Sequence, residues 1–402
     1  MFRLFAAAYL FCLLIFTLSP LPHSGTELLI GCIVCGQRGL ADGLLNVMLF
    51  IPVGLIFASR LRIVPAVLAG AALSGAIELI QLVVPGRDPS VGDLVFNTAG
   101  AVLGAGILSA APFWLSDDPR RRTLLAAGWA ALVIAAIFLT GWLLRPVPPS
   151  GMLSAEWAPQ LTGMNTYRGR ITAAALGSVQ VRPGPAAGST AWSPLLVQGA
   201  PLGVVAEVVP PVDGLAPLLT IHTASGVEVA LLGMDGRDLV YRRLNRARTL
   251  RLDSPALRLR GAVDSTHVGR AMLLGTAATR RGQCFAVDRT RTCGIGHTPG
   301  IGWSLLLAKL ERLPLPGSVL NALWLAALVL PIGFFGPPRV AGAALLVILW
   351  YAYIRVPLDT VLLPARPADL AGIAAGVASG LLLRRVSRPP TRHDVQPDTE
   401  SN

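Results

Sequence analysis

Charged residues are scarce in this chain of 402 residues. Asp, Glu, Lys and Arg make up 14% of it, whereas a soluble globular domain carries about 25%. Hydrophobic residues account for 53%, which excludes an ordinary soluble protein and indicates a polytopic membrane protein. Lysine is almost absent, since Lys309 is the only one, and arginine supplies nearly all of the positive charge behind the net +12. Much of this arginine adjoins apolar runs, where it sets helix orientation, so we do not expect nucleic-acid binding.

Sequence signatures of the commonest hydrolases and nucleotide-binding enzymes are also missing. There is no G-x-S-x-G, no H-E-x-x-H and no Walker loop, so no nucleophile–base pair stands out. The five histidines lack the spacing of metal ligands, and we assign neither a metal nor a cofactor. Acidic residues at helix ends could bind a divalent cation, but their spacing does not require one.

Long apolar runs define the architecture. Eight of them predict membrane helices, at residues 3–20, 44–59, 64–84, 93–113, 123–144, 319–336, 338–354 and 370–383. The first could be a signal peptide, but no A-x-A-like cleavage site follows it, and we favour a retained helix. The first five form a membrane domain at 1–145, and the last three form a C-terminal membrane segment at 319–384. Residues 385–402 are predicted to be a disordered tail.

Residues 146–318 have a different pattern. Apolar runs shorten to five or six residues and alternate with polar ones, as in VEVALLG, which predicts many short strands in an all-β, jelly-roll or sandwich-like domain. The fold class is therefore a polytopic α-helical membrane protein with an inserted β domain. This region holds 18 Lys and Arg against 10 Asp and Glu, which favours contact with anionic glycans or lipid headgroups. Arginines alternate with apolar residues from Arg237 to Arg260, as in strands with one solvated basic face.

Arginine placement also predicts the orientation. With eight spans, one side of the membrane receives Arg3, Arg60, Arg62, Arg120–Arg122, Arg339, Arg384, Arg385 and Arg388. The positive-inside rule makes that side cytoplasmic. Both termini then lie in the cytoplasm, and the β domain is extracytoplasmic.

Polar residues gather at one end of three N-terminal spans. Ser74, Glu78 and Gln81 share a helical face, Asp93 and Asn97 share another, and Asp42 and Asn46 lie one turn apart at the start of the second span. An ionisable group inside an apolar span is costly, so Glu78 is a candidate functional residue. The alternative is an interhelical hydrogen bond that only supports folding.

Arg87 lies on the turn between two of these helices. It could hold a phosphate or carboxylate in a bidentate fork, or it could pair with Asp88 or Asp93 to fold the turn. The candidate catalytic residues are Glu78, Arg87 and Asp93. The candidate ligand-binding residues are Asp42, Asn46, Ser74, Gln81 and Asn97.

The five cysteines fall into three groups. Cys32 and Cys35 lie in a loop that the predicted orientation places outside, where an oxidising compartment favours a disulfide; a metal site or free thiols are the alternatives. Cys284 and Cys293 enclose eight residues of the β domain and are candidates for a disulfide that pins a hairpin. Cys12 lies in the first span as an ordinary apolar residue.

Two of the spans resemble each other. DLVFNTAGAVLG at 93–104 aligns with DLAGIAAGVASG at 369–380, with Asp, Leu and two glycines matching and Asn97 replaced by Ile373. The match suggests a degenerate internal repeat.

In its ordered motifs the N-terminal region resembles the VanZ-like family of membrane proteins. The matching residues are Cys32-x-x-Cys35-Gly36, Asp42, Asn46, Phe50, Pro52, Gly54, Ser74, Glu78, Gln81, Arg87, Asp93, Asn97 and Gly100. The resemblance implies a bacterial cell-envelope protein of the plasma membrane, related to one that gives low-level teicoplanin resistance. The middle domain resembles laminin-G or concanavalin-like sandwiches by its strand pattern, which implies glycan or protein binding.

Two functional hypotheses are consistent with these patterns. In the first, the membrane domain binds a lipid-linked, glycan or glycopeptide-like ligand at the outer membrane face. In the second, the protein is an integral membrane enzyme or transporter that acts on a lipid or cell-wall precursor. The expected partners are the lipid bilayer and a cell-wall precursor or glycan.

Overall fold

A computed structural model describes residues 2–20, 33–34, 36–87, 89–186, 191–313 and 315–386. Helices occupy both ends of this part of the chain, and a domain of strands lies between them. The predicted fold class, a helical membrane protein with an inserted all-β domain, is confirmed in this outline.

The N-terminal helices are apolar and joined by short turns. They are α1 (Phe2–Leu18), α2 (Gly39–Ala58), α3 (Ile63–Gln81), α4 (Val91–Ser109), the short α5 (Ala111–Trp114) and α6 (Pro119–Leu143). Side-chain caps fix two of the starts: Ser90 accepts a hydrogen bond from the Gly92 amide, and Asp118 accepts one from the Arg120 amide. Such caps satisfy backbone donors that the first helical turn leaves free.

The middle of the chain forms a sandwich of two six-stranded antiparallel sheets. Its strands are β1 (Leu153–Trp157), β2 (Ile171–Leu176), β3 (Val179–Gln180), β4 (Gly184–Pro185), β5 (Leu202–Glu207), β6 (Leu215–Thr223), β7 (Glu228–Asp235), β8 (Asp238–Arg243), β9 (Leu257–Leu259), β10 (Ala271–Thr279), β11 (Gly282–Val287) and β12 (Thr290–Ile295). Two short helices, α7 (Trp192–Gln198) and α8 (Arg246–Thr249), interrupt them. The sheet orders are β4-β1-β6-β7-β8-β9 and β12-β11-β10-β5-β2-β3.

The sandwich core is built from fully buried aliphatic and aromatic side chains. Leu219 and Leu232 come from one sheet, Leu274 and Phe285 from the other, and all four have no exposed surface. Burying one such side chain stabilises the fold by about 1.5–3 kcal/mol, so this region has a hydrophobic core of its own.

The C-terminal helices return to the apolar pattern. They are α9 (Gly317–Phe335), α10 (Pro338–Trp350) and α12 (Pro367–Val386). A π-helical turn at Tyr351–Arg355 continues α10 into α11 (Val356–Asp359).

Six helical segments among the described residues are long and apolar enough to cross a membrane. They are Gly39–Ala58, Ile63–Gln81, Val91–Ser109, Pro119–Leu143, Gly317–Phe335 and Pro338–Asp359. The first and eighth predicted spans are also helical, as α1 and α12, but α1 has only 17 residues and the last turn of α12 contains Arg384 and Arg385. Six of the eight predicted spans are thus supported. That α1 and α12 also cross the membrane stays a prediction.

The same packing arrangement occurs twice among these helices. On α4, Gly100 and Gly104 lie so close to the backbone of α2 that neither has room for a Cβ; on α12, Gly376 and Gly380 lie equally close to α9. Each partner helix carries the sequence Pro-x-Gly, at residues 52–54 on α2 and 331–333 on α9. The glycine of this sequence packs in turn against the backbone of α4 or α12. The structure therefore extends the suggested repeat from one helix to a helix pair.

The β domain sits on one end of the helix bundle. Arg38, just before α2, forms an ion pair with the buried Asp253, with N–O distances of 2.6 and 2.7 Å. Near the start of α9, Trp303 Nε1 donates to Asn321 Oδ1 at 2.8 Å. These contacts attach the loop before β9 to the start of α2, and the segment after β12 to the start of α9.

Candidate functional site

The predicted polar residues meet where α2, α3 and α4 end or begin. Asn46 Nδ2 donates to Asp93 Oδ1 at 2.7 Å, which joins α2 to α4. Glu78 Oε2 accepts a hydrogen bond from the Ser90 amide at 2.8 Å, which joins the end of α3 to the N-terminus of α4. A carboxylate at a helix N-terminus also interacts favourably with the helix dipole. The three helix ends are therefore connected through two carboxylates.

A second pair of polar residues lies deeper in the helices. Asn97 Nδ2 donates to Ser74 Oγ at 2.9 Å, and both residues are buried. The Asn97 Oδ1 atom is buried without a hydrogen-bond partner among the described residues. Such an atom is expensive to bury, and it leaves an acceptor available inside the bundle.

Two of the predicted site residues contact α1. Gln81 Nε2 donates to the Thr17 carbonyl at 2.8 Å. Arg87 donates to the carbonyls of Phe16 and Ser19 at 2.5 and 3.0 Å, which satisfies backbone acceptors that a helix C-terminus leaves free. Within the described residues Arg87 has no ion pair with Asp93, and Asp88 lies outside them.

Three carboxylates, those of Asp42, Glu78 and Asp93, share this end of the helices. Asp42 is exposed, and the other two are partly buried. Asp93 is close enough to both Asp42 and Glu78 for their negative charges to repel. Within the described part of the chain, no group of three His, Cys, Asp or Glu is placed to hold a metal ion. The site can therefore accept hydrogen bonds from a ligand or exchange a proton with it.

The acidic residue at the corresponding end of the second helix pair is buried. Asp369 corresponds to Asp93 but is only 1% exposed, and its Oδ2 accepts from the Arg366 amide at 2.9 Å. The segment Pro299–Leu305 covers this position, with Gly300 packed against both Asn321 and Asp369. The sequence of that segment, PGIGWSL, contains no motif that would predict this role. The polar end of the first pair is therefore the better candidate for a ligand site.

The candidate disulfides have separate outcomes. Cys284 and Cys293 are bonded and join the neighbouring strands β11 and β12. Cys32 and Cys35 lie outside the described residues. Cys12 is a free thiol on the exposed side of α1.

Comparison with known proteins identifies the N-terminal helices. Residues 5–114 match the family VanZ/LLP1, which confirms the resemblance drawn from the motifs and covers every residue of the proposed site. No curated protein and no solved structure matches the chain. The likeness of the β domain to concanavalin-like or laminin-G sandwiches stays a prediction.

Proposed function

Since residues 5–114 form a VanZ-like membrane domain, we propose that this cell-envelope protein binds the polar head of a lipid-linked, glycan or glycopeptide-like ligand at the outer membrane face. The observation that carries the proposal is the meeting of three carboxylates and the Asn46 carboxamide at the shared ends of α2, α3 and α4. These groups accept hydrogen bonds from hydroxyls, amides and ammonium groups, which are abundant in such ligands. The VanZ resemblance extends the proposal to glycopeptide resistance of the teicoplanin type.

The alternative is an integral membrane enzyme or transporter that acts on a lipid or cell-wall precursor. Glu78, Asp93 and Arg87 would be its catalytic residues, with Glu78 as the acid or base. The favouring observation is that Glu78 is partly buried and has a second carboxylate, Asp93, as a neighbour. The two similar helix pairs favour a transporter, because many transporters contain repeated halves.

Lipid extracts analysed by mass spectrometry separate these functions. The strains are a deletion, the wild type, Glu78→Gln and the matched control Glu207→Gln, which makes the same change on the exposed end of β5. We expect Glu78→Gln to reproduce the deletion phenotype in glycopeptide sensitivity while its membrane insertion stays normal. A lipid species whose amount changes in both the deletion strain and the Glu78→Gln strain would favour the enzyme or transporter. A fully functional Glu78→Gln strain would contradict the proposed role of Glu78 in the site.

We also propose that both termini are cytoplasmic and that the β domain is extracytoplasmic. Supporting this, the arginine-rich turns around Arg60 and Arg121 lie at the helix ends opposite to the β domain. The Cys284–Cys293 disulfide suits an oxidising compartment. Reporter enzymes fused at residues 120 and 200 should report opposite compartments. A cytoplasmic reporter at residue 200 would contradict the orientation.

A further inference from the structure

A cavity of about 460 Å³ lies between the β sandwich and the ends of the membrane helices. One wall comes from β8, β9 and the β10–β11 hairpin of the sandwich. The other comes from the end of α6, from α11 and from the loop at residues 360–364 that follows it. The volume is within the range of sites for small ligands. The cavity is separate from the polar site of α2, α3 and α4, and its ligand is inferred independently of the proposed function.

Three arginines line this cavity: Arg243 on β8, and Arg280 and Arg281 at the tip of the β10–β11 hairpin. Its described lining contains no Asp or Glu. Within the described residues, none of the three arginines forms an ion pair. The cavity therefore concentrates positive charge that no described residue neutralises.

Neighbouring arginines of the same sheet behave differently. Arg242, one residue before Arg243 and on the opposite face of β8, pairs with Glu228 at 2.6 Å. On β9, Arg258 pairs with Asp235 at 2.6 Å. Successive side chains of a strand point to opposite faces. The arginines facing away from the cavity have carboxylate partners, and Arg243, which faces into it, has none within the part of the chain that the structure describes. This contrast indicates that the missing partner is a ligand.

The helix side of the cavity is apolar. Leu144 lies just past the end of α6, Pro357 lies in α11, and Val361 lies just past its end. Both helices belong to segments able to cross a membrane, and the ends of such segments are where lipid headgroups would meet water. The arginines on the β-domain side are complementary to a lipid phosphate, and the apolar residues on the helix side are complementary to its acyl chains.

We propose that this cavity binds a phosphate-bearing headgroup, that of an anionic membrane phospholipid, with Arg243, Arg280 and Arg281 as its ligands. Arginine suits this role because its fork of donors matches phosphate oxygens. The bound headgroup would connect the β domain to the lipid around α6 and α11.

His297, a further lining residue, does not add to this charge at neutral pH. Burial, with the nearby Arg243 as a smaller cause, lowers the pKa of His297 to about 4. The imidazole is therefore neutral between pH 5 and 8, while the arginines stay charged. Headgroup binding should be constant across that range and should weaken with salt.

The test is native mass spectrometry of the full chain released from nanodiscs that contain phosphatidylcholine with or without phosphatidylglycerol. The variants are Arg243→Gln and the double change Arg280→Gln with Arg281→Gln. Arg280 and Arg281 are exposed, so the double change should not disturb folding. The control is Arg289→Gln, in the turn at the other end of β11 and about 20 Å away by strand length. A parallel arm adds millimolar inorganic phosphate.

We expect the wild type to retain phosphatidylglycerol in preference to phosphatidylcholine. Each arginine removed from the cavity should weaken retention about fivefold, and Arg289→Gln should leave it unchanged. If inorganic phosphate displaces phosphatidylglycerol, the cavity binds phosphate but its ligand is the free anion. If phosphatidylglycerol stays bound, the ligand is the lipid headgroup. Equal retention by the double variant and the wild type, or an equal loss in Arg289→Gln, would overturn the proposal.

Discussion

Gly104 on α4 and Gly380 on α12 make the same backbone contact in two separate helix pairs. Gly104 lies against the carbonyl of Ile51 on α2, and Gly380 lies against the carbonyl of Leu330 on α9. Small residues permit such close approach, and in a bilayer packing of this kind is a main source of helix association. The two pairs are therefore alike in their packing, although Asp369 of the second pair is buried whereas Asp93 of the first is only partly buried.

This packing predicts the effect of adding a single methyl group. Gly104→Ala and Gly380→Ala should each lower the free energy of unfolding by about 1–3 kcal/mol, because the new Cβ meets backbone that cannot rotate away. Gly106→Ala is the matched control on α4, since its Cβ would enter open space. Thermal unfolding in detergent measures the three variants. Equal melting temperatures for Gly104→Ala and Gly106→Ala would contradict the close packing.

Much of this fold is predictable from residue patterns. The apolar runs predicted the helices and the short alternating runs predicted the sandwich, because burial imposes a period on each element. The polar ends of α2, α3 and α4 were also predictable, since Asp42, Glu78 and Asp93 are rare charges in apolar segments. The family match over residues 5–114 covers these same positions.

The partners of individual side chains were less predictable. The alternation from Arg237 to Arg260 suggested strands with a solvated basic face, but the structure interrupts this stretch with α8. It also pairs Arg242 with Glu228, with both side chains mostly buried. An alternating pattern specifies a face, whereas a partner depends on which strand lies beside it. Likewise, Arg87 binds the end of α1 through Ser19, which is 68 residues away in sequence.

The ion pair between Arg38 and Asp253 should hold the β domain on the membrane helices. Arg38→Gln leaves the buried Asp253 carboxylate without its cation, and we expect a loss of about 2–3 kcal/mol in unfolding free energy. Arg258→Gln makes the same change at a more exposed pair with Asp235 and should cost less than about 1 kcal/mol. Chemical unfolding followed by tryptophan fluorescence compares the two.

A double-mutant cycle isolates this contact. Adding Asp253→Asn to Arg38→Gln removes the unpaired charge, so the double variant should be more stable than the sum of the two single losses implies. Strict additivity would mean that the two side chains do not interact in solution.

His297 should make the stability of the protein depend on pH. Its pKa is lowered to about 4, chiefly by burial, whereas the unfolded side chain titrates near 6.5. Between these values the unfolded state binds a proton that the folded state does not, so lowering the pH favours unfolding. We expect stability to be unaffected by this group above about pH 7 and to fall from about pH 6.5 towards pH 4, with a slope approaching 1.4 kcal/mol per pH unit.

Melting temperatures between pH 7.5 and 4.5 should therefore show a smaller decline for His297→Gln than for the wild type. His222→Gln, which removes a histidine bonded to Glu156, should keep the steeper wild-type decline, because His297 is still present. Identical pH profiles for His297→Gln and the wild type would show that His297 is not buried in the neutral form. That result would also remove the reason to expect a pH-independent charge in the arginine cavity.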